Sequence, residues 1–338
     1  MALARTGRQP RPRGTDKRRV GMLLAVAVVS AVFALLLLAR GDGGTTAGEI
    51  TPVDSIYHEF AANHLHGLGF DQERDQLVIA THFGLFLLRP GQDHGGSWEL
   101  FQLGDNRDDF MGFSLHPHEP DVLYTSGHPA TGGNLGVLRS DDGGLTFERV
   151  FEGFDGHPID FHSMVVSPAN PDVLYGYYWG DRMLYRTFDA GVTWERVTPE
   201  GLPDGGPCWA APCLAADPVD AQALYAGTEQ GLMVSRDAGQ TWNRLASAPD
   251  GPVAGTGAVE SSAGLTIFAA AVAEGVVVST DGGQAWEPRN AGLDLAPGEL
   301  VFTFAFDRSN PGRVFLATTG QRIFESYDDG ASWEAILR

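Results

Sequence analysis

Two kinds of apolar pattern divide the chain. Val20 to Ala39, VGMLLAVAVVSAVFALLLLA, runs for twenty residues without a charge. As a helix it would span about 30 Å, the thickness of a bilayer hydrocarbon core. From residue 64 onward the apolar runs are short and rich in β-branched and aromatic residues, as in LVIAT, VLYTS and VLYGY. Runs of that length bounded by Gly, Pro, Asn and Asp read as strands. They come in pairs, such as DVLYGYYWGDRMLYR and QALYAGTEQGLMVSR, each preceded by a further apolar strand.

A repeat sets the spacing of these strands. SDDGGLTF (140–147), TFDAGVTW (187–194), SRDAGQTW (235–242), STDGGQAW (279–286) and SYDDGASW (326–333) share the template Ser/Thr-x-Asp-x-Gly-x-Thr/Ser-Trp. Phe147 and Ala285 are the departures, and GQDHGGSW (91–98) is a degenerate sixth copy. The aspartates Asp93, Asp142, Asp189, Asp237, Asp281 and Asp328 fall 44 to 49 residues apart. Each residue type suits a tight hairpin: Asp accepts N–H groups of its own turn and Gly supplies a positive φ. The hydroxyls add local backbone bonds, and the Trp covers the turn as the next strand begins. Four short strands per repeat describe a propeller blade.

These motifs resemble Asp boxes, also called bacterial neuraminidase repeats, over nearly all of residues 64–338. The resemblance implies an all-β, six-bladed propeller in which the boxes are structural turns. The same repeats occur in sialidases, other glycoside hydrolases, sortilin-like receptors and photosystem assembly factors, so they leave function open. A sialidase of this family would carry an Arg-Ile/Leu-Pro motif near the start of the domain, and none stands here.

Charge adds the setting. Arg5, Arg8, Arg11, Arg13, Lys17, Arg18 and Arg19 precede the apolar span against Asp16 alone, and only Arg40 closes it. A cleavable signal has a shorter apolar region followed by a small-x-small site, whereas LLLLARG follows here. The pattern predicts a single-pass anchor in the cell membrane with a cytoplasmic N-terminus and an extracytoplasmic propeller. The expected organisation is a basic tail over 1–19, an anchor over 20–39, a linker and entry segment over 40–63, and the propeller over 64–338. The net charge is −20, and no lysine follows residue 17. Such a surface repels phosphate backbones, which argues against nucleic acid and leaves a protein or glycan partner. Cys208 and Cys213, the only cysteines, lie in CWAAPC on the exported side, where a disulfide is expected.

Blade order separates the chemistry. With strands a to d running outward, the boxes and the a–b turns share one face, where His116 and His118 fall as solvated turn residues. The d–a connections and b–c turns share the other. His64, His66, His82, Asp108, Asp109, Met111, His128, His157, Asp160, His162, Trp179, Asp181 and Arg182 gather there, all from blades one to three. Blades four to six offer only Glu229, Gln230, Glu274, Gln321 and Arg322. Aligning the first three blades places His66, Met111 and His162 at one position of the innermost strand. His64, Asp109 and Asp160 lie two residues earlier, on the same side of the strand. The later equivalents of His66 align as Pro212, Thr256 and Phe302.

Three functions suit this face. The first is a transition-metal site, copper or zinc, through His66, Met111, His128 and His162. Neighbouring inner strands at sheet-like spacings of about 10 Å would demand long side chains for this. The second is glycoside hydrolysis by two of Asp108, Asp109, Asp160 and Asp181. The third is binding of a protein or glycan through His64, His82, His157, Trp179 and Arg182. Asp160, His162 and Ser163 make no triad, since strand neighbours point to opposite sides. Gly132, Gly133 and Gly136 form no phosphate cradle, because no helix follows them.

Overall fold

The computed structural model describes residues 50–52, 64–91, 97–203, 213–262 and 264–337. The expected tail, anchor and most of the linker lie outside these residues, as do Asp93 and Cys208. Among the described residues no helix is long and apolar enough to cross a membrane. Cys213 is disulfide-bonded, and Cys208 is the chain's only other cysteine.

Six antiparallel sheets account for nearly every described strand, each a meander of four strands in chain order. Blade one runs through Leu65–Asp71, Gln76–Thr81, Gly84–Pro90 and Trp98–Leu103, and Ile50–Pro52 pairs along its outer edge. The inner strands of blades two to six are Asp109–Leu115, Phe161–Val166, Leu214–Ala216, Val253–Ser261 and Val301–Phe306. Each packs beside the next, and Val301–Phe306 packs beside Leu65–Asp71, so the ring closes.

The core lies between blades rather than at one centre. Six buried apolar clusters occur, one for each pair of neighbours. Period-two geometry explains how one strand serves two clusters. Leu77 and Ile79 face blade six, whereas Val78 and Ala80 face blade two. That is why the second strands read as unbroken apolar runs: both of their faces are covered.

Among the described residues blades one and six exchange no strand, and side chains join them. Arg313 of blade six is the clasp. It bonds Glu325 at 2.7 Å and Asp75 of blade one, and its guanidinium lies 4.8 Å from the Phe70 ring centroid and 5.0 Å from that of Phe315. A planar cation can pair with carboxylates at its edge while stacking on rings through its faces.

The repeated turns use their residues uniformly. At Asp189 one carboxylate oxygen accepts the Thr187 hydroxyl at 2.7 Å and the Thr193 amide at 2.8 Å, and the other accepts the Thr193 hydroxyl at 2.6 Å. These bonds, led by that hydroxyl, hold the Asp189 pKa below the usual carboxylate range. The Thr187 hydroxyl in turn accepts the Gly191 amide at 3.1 Å. Asp142, Asp237 and Asp328 repeat the pattern. Ala285 removes the last hydroxyl at Asp281, leaving only the backbone amides and Ser279.

On the same face four of the inner strands end in a side chain that caps the following a–b turn. Asp71, Asp217 and Asp307 each accept two amides two and three residues on. His116 does the same through Nδ1, which accepts the amides of His118 and Glu119. His116 is therefore a turn-capping residue in the role of an aspartate.

Candidate functional site

On the opposite face a shared backbone irregularity builds the site. In blade one Leu65 pairs with Thr81 and Gly67 with Ala80, so His66 is an extra residue in its strand. The same register shift falls at Met111, His162, Ala254 and Phe302. A bulge of this kind re-aims one side chain and is favoured at rims. The equivalence of His66, Met111, His162 and Phe302 agrees with the alignment. In blade five the register puts Ala254, not Thr256, at that position. Pro212 lies outside the described residues.

The inner strands also come closer than sheet spacing. A Cβ on Gly112, just after the Met111 bulge, would stand 2.4 Å from the Phe161 carbonyl oxygen of blade three. One on Gly67, just after the His66 bulge, would stand 2.7 Å from the Phe113 Cβ of blade two. Only glycine permits these approaches. The expected obstacle of about 10 Å between strands is removed here by missing side chains.

Two groups of three donors result, each with its ligand atoms within 4.8 Å of one another: His66, His82 and Asp109, and His128, Asp160 and His162. Each spans two neighbouring blades. In the first, Asp109 meets His82 Nδ1 at 2.8 Å and His66 Nε2 at 3.4 Å. His64 stands behind, its Nδ1 3.4 Å from His82 Nε2. Both His66 Nε2 and Asp109 Oδ1 are buried without a hydrogen-bond partner. Burial, reinforced by the neighbouring His82 and only partly offset by Asp109, pushes the His66 pKa down to about 3. His66 is thus neutral at pH 7.

In the second group Asp160 Oδ2 meets His162 Nε2 at 2.6 Å and His128 Nε2 at 3.2 Å. His128 Nδ1 lies 2.8 Å from the Gly133 carbonyl, to which it can only donate, which leaves Nε2 with a lone pair when the ring is neutral. Burial lowers the His162 pKa, but the hydrogen bond and charge of Asp160 outweigh it, so the net shift is upward. Asp160 Oδ1 is buried and unpartnered. Met111 holds the equivalent bulge in blade two, between the two groups in ring order.

Other expected residues have different surroundings. Asp108 accepts the Ala130 amide at 2.9 Å and so fastens the b–c loop of its blade. Asp181 accepts the Tyr185 hydroxyl at 2.6 Å, the Met183 amide at 3.1 Å and the Arg196 guanidinium at 2.9 Å. Arg182 occupies a left-handed turn position at φ 58°. Trp179 is exposed, with its ring 6.4 Å from that of Tyr177, and His157 lies exposed in a separate two-stranded hairpin. Ser163 is buried, and its hydroxyl accepts the Leu214 amide at 3.2 Å, a bond between blades and not the activation of a nucleophile.

The arrangement defines a six-bladed β-propeller with an imidazole- and carboxylate-rich mouth. No family model matches the chain. It is 27% identical over 190 residues to an oligoxyloglucan-reducing end-specific xyloglucanase of Emericella nidulans, over 53% of this chain and 23% of that protein. The GH74 xyloglucanase structure from Xanthomonas campestris aligns with a TM-score of 0.54 at 18% identity, over 86% of this chain and 47% of that one. A chain of a nidogen/laminin complex aligns at 0.55 and 11% identity, covering 78% and 93% respectively. The chain therefore spans under a quarter of the curated relative and about half of the solved xyloglucanase. At these identities the structural likenesses establish the fold.

Proposed function

We propose that this propeller binds transition-metal ions at the mouth formed by blades one to three, and through them a ligand outside the membrane. The observation that carries the reading is the facing pair His66 Nε2 and Asp109 Oδ1. Both are buried, 3.4 Å apart, and without hydrogen bonds. Leaving two such atoms bare costs about 1–3 kcal/mol each, and a cation between them satisfies both. Two imidazoles and one carboxylate suit zinc, with copper(II) the strongest competitor in the divalent series. Three protein ligands leave a coordination position for an outside donor, such as a protein side chain or a glycan hydroxyl. The charge-free run at 20–39 and the basic tail before it support tethering at the cell membrane, and the repeats support membership of the Asp-box group.

Elemental analysis of the full-length protein after zinc loading and removal of excess should find two ions per chain. His66→Ala and His128→Ala should each retain one, and the double variant none, with circular dichroism unchanged. A wild-type protein that keeps no zinc and no copper ends the reading.

A second reading, glycoside hydrolysis by Asp109 and Asp160, is favoured by the partial likeness to a xyloglucanase. Release of sugar from xyloglucan oligosaccharides that persists in excess chelator and disappears in both Asp109→Asn and Asp160→Asn would establish it over the first.

A further inference from the structure

The central channel presents a different chemistry at its other end. Its cavity of about 150 Å3 is bounded by all six inner strands and opens between the a–b turns. The walls are mixed: Leu115, Met164, Val166 and Phe306 give apolar stretches, and Asp71, Glu73 and Ser114 give polar ones. Into this cavity projects Arg308, from the turn after the inner strand of blade six.

Arg308 has no hydrogen bond, ion pair or ring contact with any described residue. Asp71 and Asp307 are already engaged, and Glu73, which also lines the cavity, makes no ion pair with Arg308. Asp71 takes two amides, the Arg74 guanidinium and the Gln76 amide group. Asp307 takes two amides and the Ser309 hydroxyl. No acid lies close enough to Arg308 to shift it, and burial alone draws its pKa down to about 10, so it stays charged at neutral pH. Half-buried and facing the channel with no carboxylate partner, its guanidinium is available to an anion that enters. In a chain of net charge −20, an arginine left without a carboxylate is all the more distinctive.

We propose that this end of the channel binds a small organic carboxylate, its charged group paired with Arg308 and its apolar body along the channel wall. A guanidinium matches a carboxylate in a bidentate fork. The cavity holds about five waters at roughly 30 Å3 each, which is room for a short aliphatic or single-ring acid. Phosphate fits less well, because one cation answers its charge and the acidic chain repels polyanions. This site shares no residue with the histidine-rich mouth and does not depend on metal there.

Calorimetric titration of the full-length protein with butyrate and benzoate, the neutral butyramide and benzamide, and inorganic phosphate tests the assignment. One of the two carboxylates should bind, its amide at least tenfold more weakly. Arg308→Gln should lose at least tenfold in carboxylate affinity while melting no lower than wild type, since it removes an unpaired charge. Arg308→Lys should recover part of the loss, and His66→Ala should bind as wild type does. Absence of carboxylate binding at 10-millimolar order, equal binding of acid and amide, tighter binding of phosphate, or an Arg308→Gln protein that binds unchanged would each overturn the proposal.

Discussion

The two donor groups at the mouth have the same composition and the same bulged histidine, yet burial falls on opposite partners. In the first group the histidine is the more buried member, with the His66 side chain 12% exposed against 21% for Asp109. In the second it is the carboxylate, Asp160 at 5% against His162 at 38%. Desolvation disfavours whichever charged form it encloses. The first group therefore keeps a neutral imidazole, pushed down to about 3, beside a carboxylate that it leaves unbonded. The second holds its histidine by a 2.6 Å bond and favours the imidazolium. Identical residues give one group with bare facing atoms for a cation and another in which a cation must displace the proton of the Asp160–His162 bond.

Both groups draw a ligand from blade two, Asp109 on its inner strand and His128 on the strand paired with it, so breaking that pairing should erase the comparison altogether. Gly127→Val places a β-branched side chain at φ +149°, with its Cβ inside the Asp109 carbonyl. We expect a loss of about 4 kcal/mol or more in denaturant unfolding, together with loss of zinc from both groups. Ala in place of Gly132, also at positive φ but with nothing within 4 Å of its Cβ, should cost only about 1 kcal/mol. If Gly127→Val melts like Gly132→Ala, that pairing does not hold the site together.

Next in size are the separate carboxylates. Asp109→Asn should weaken zinc at the first group by at least about a hundredfold, comparable to or beyond the loss of an outer-shell partner. It should leave the second group's ion in place. Asp160→Asn should do the reverse. Loss of both ions in either variant would show one shared centre instead of two.

A smaller effect separates the groups without any metal. In chelator-treated protein, the ring proton signals of His66 should stay at their neutral position down to about pH 4, while His162 titrates above the ordinary value of 6.5. The sign follows from linkage. A raised histidine pKa stabilises the fold fully below its unfolded value, and that contribution is lost as pH rises through the folded value. Asp160→Asn should therefore remove part of the metal-free protein's stability near pH 6 more than near pH 9. Equal losses at the two values would mean that His162 is not the protonated partner.

Much of this architecture was legible in the chain and some of it was not. The Asp-centred repeats fixed blade number, blade order and which loops share a face. Their Asp and Ser/Thr side chains satisfy neighbours within four residues, so the turn is written locally. The equivalence of His66, Met111 and His162 followed from strand alignment. The bulge that aims them did not, because an extra residue in a ladder depends on its partner strand. Nor did the pairing of Asp109 with histidines of blade one and Asp160 with His128 of blade two, which depends on Gly67 and Gly112 standing where side chains would clash. Asp181 shows the converse: a carboxylate on the expected face, satisfied by Tyr185 and Arg196 within its own blade. Arg308 went unremarked because nothing in DRSNPG distinguishes a channel-facing arginine from a solvated one.

The smallest effect belongs to the repeated turns, which also allow an internal comparison. Asp189 receives a hydroxyl and an amide from Thr193, whereas Asp281 receives only the amide from Ala285. Both carboxyls are held below their usual range, Asp189 first by the Thr193 hydroxyl and Asp281 first by the Ala285 amide. A depressed carboxyl pKa stabilises the fold above the unfolded value and is lost as pH falls through the folded one. Restoring the missing hydroxyl with Ala285→Thr should raise the melting temperature by about 1–2 °C at pH 7 and move the acid-unfolding midpoint downward. Thr193→Ala should shift both in the other direction by a similar amount. Because the two turns differ chiefly in that hydroxyl, opposite shifts would tie the effect to the second carboxylate oxygen. An unchanged acid midpoint in Ala285→Thr would instead place the stabilising bond at the backbone amide, which both turns already share.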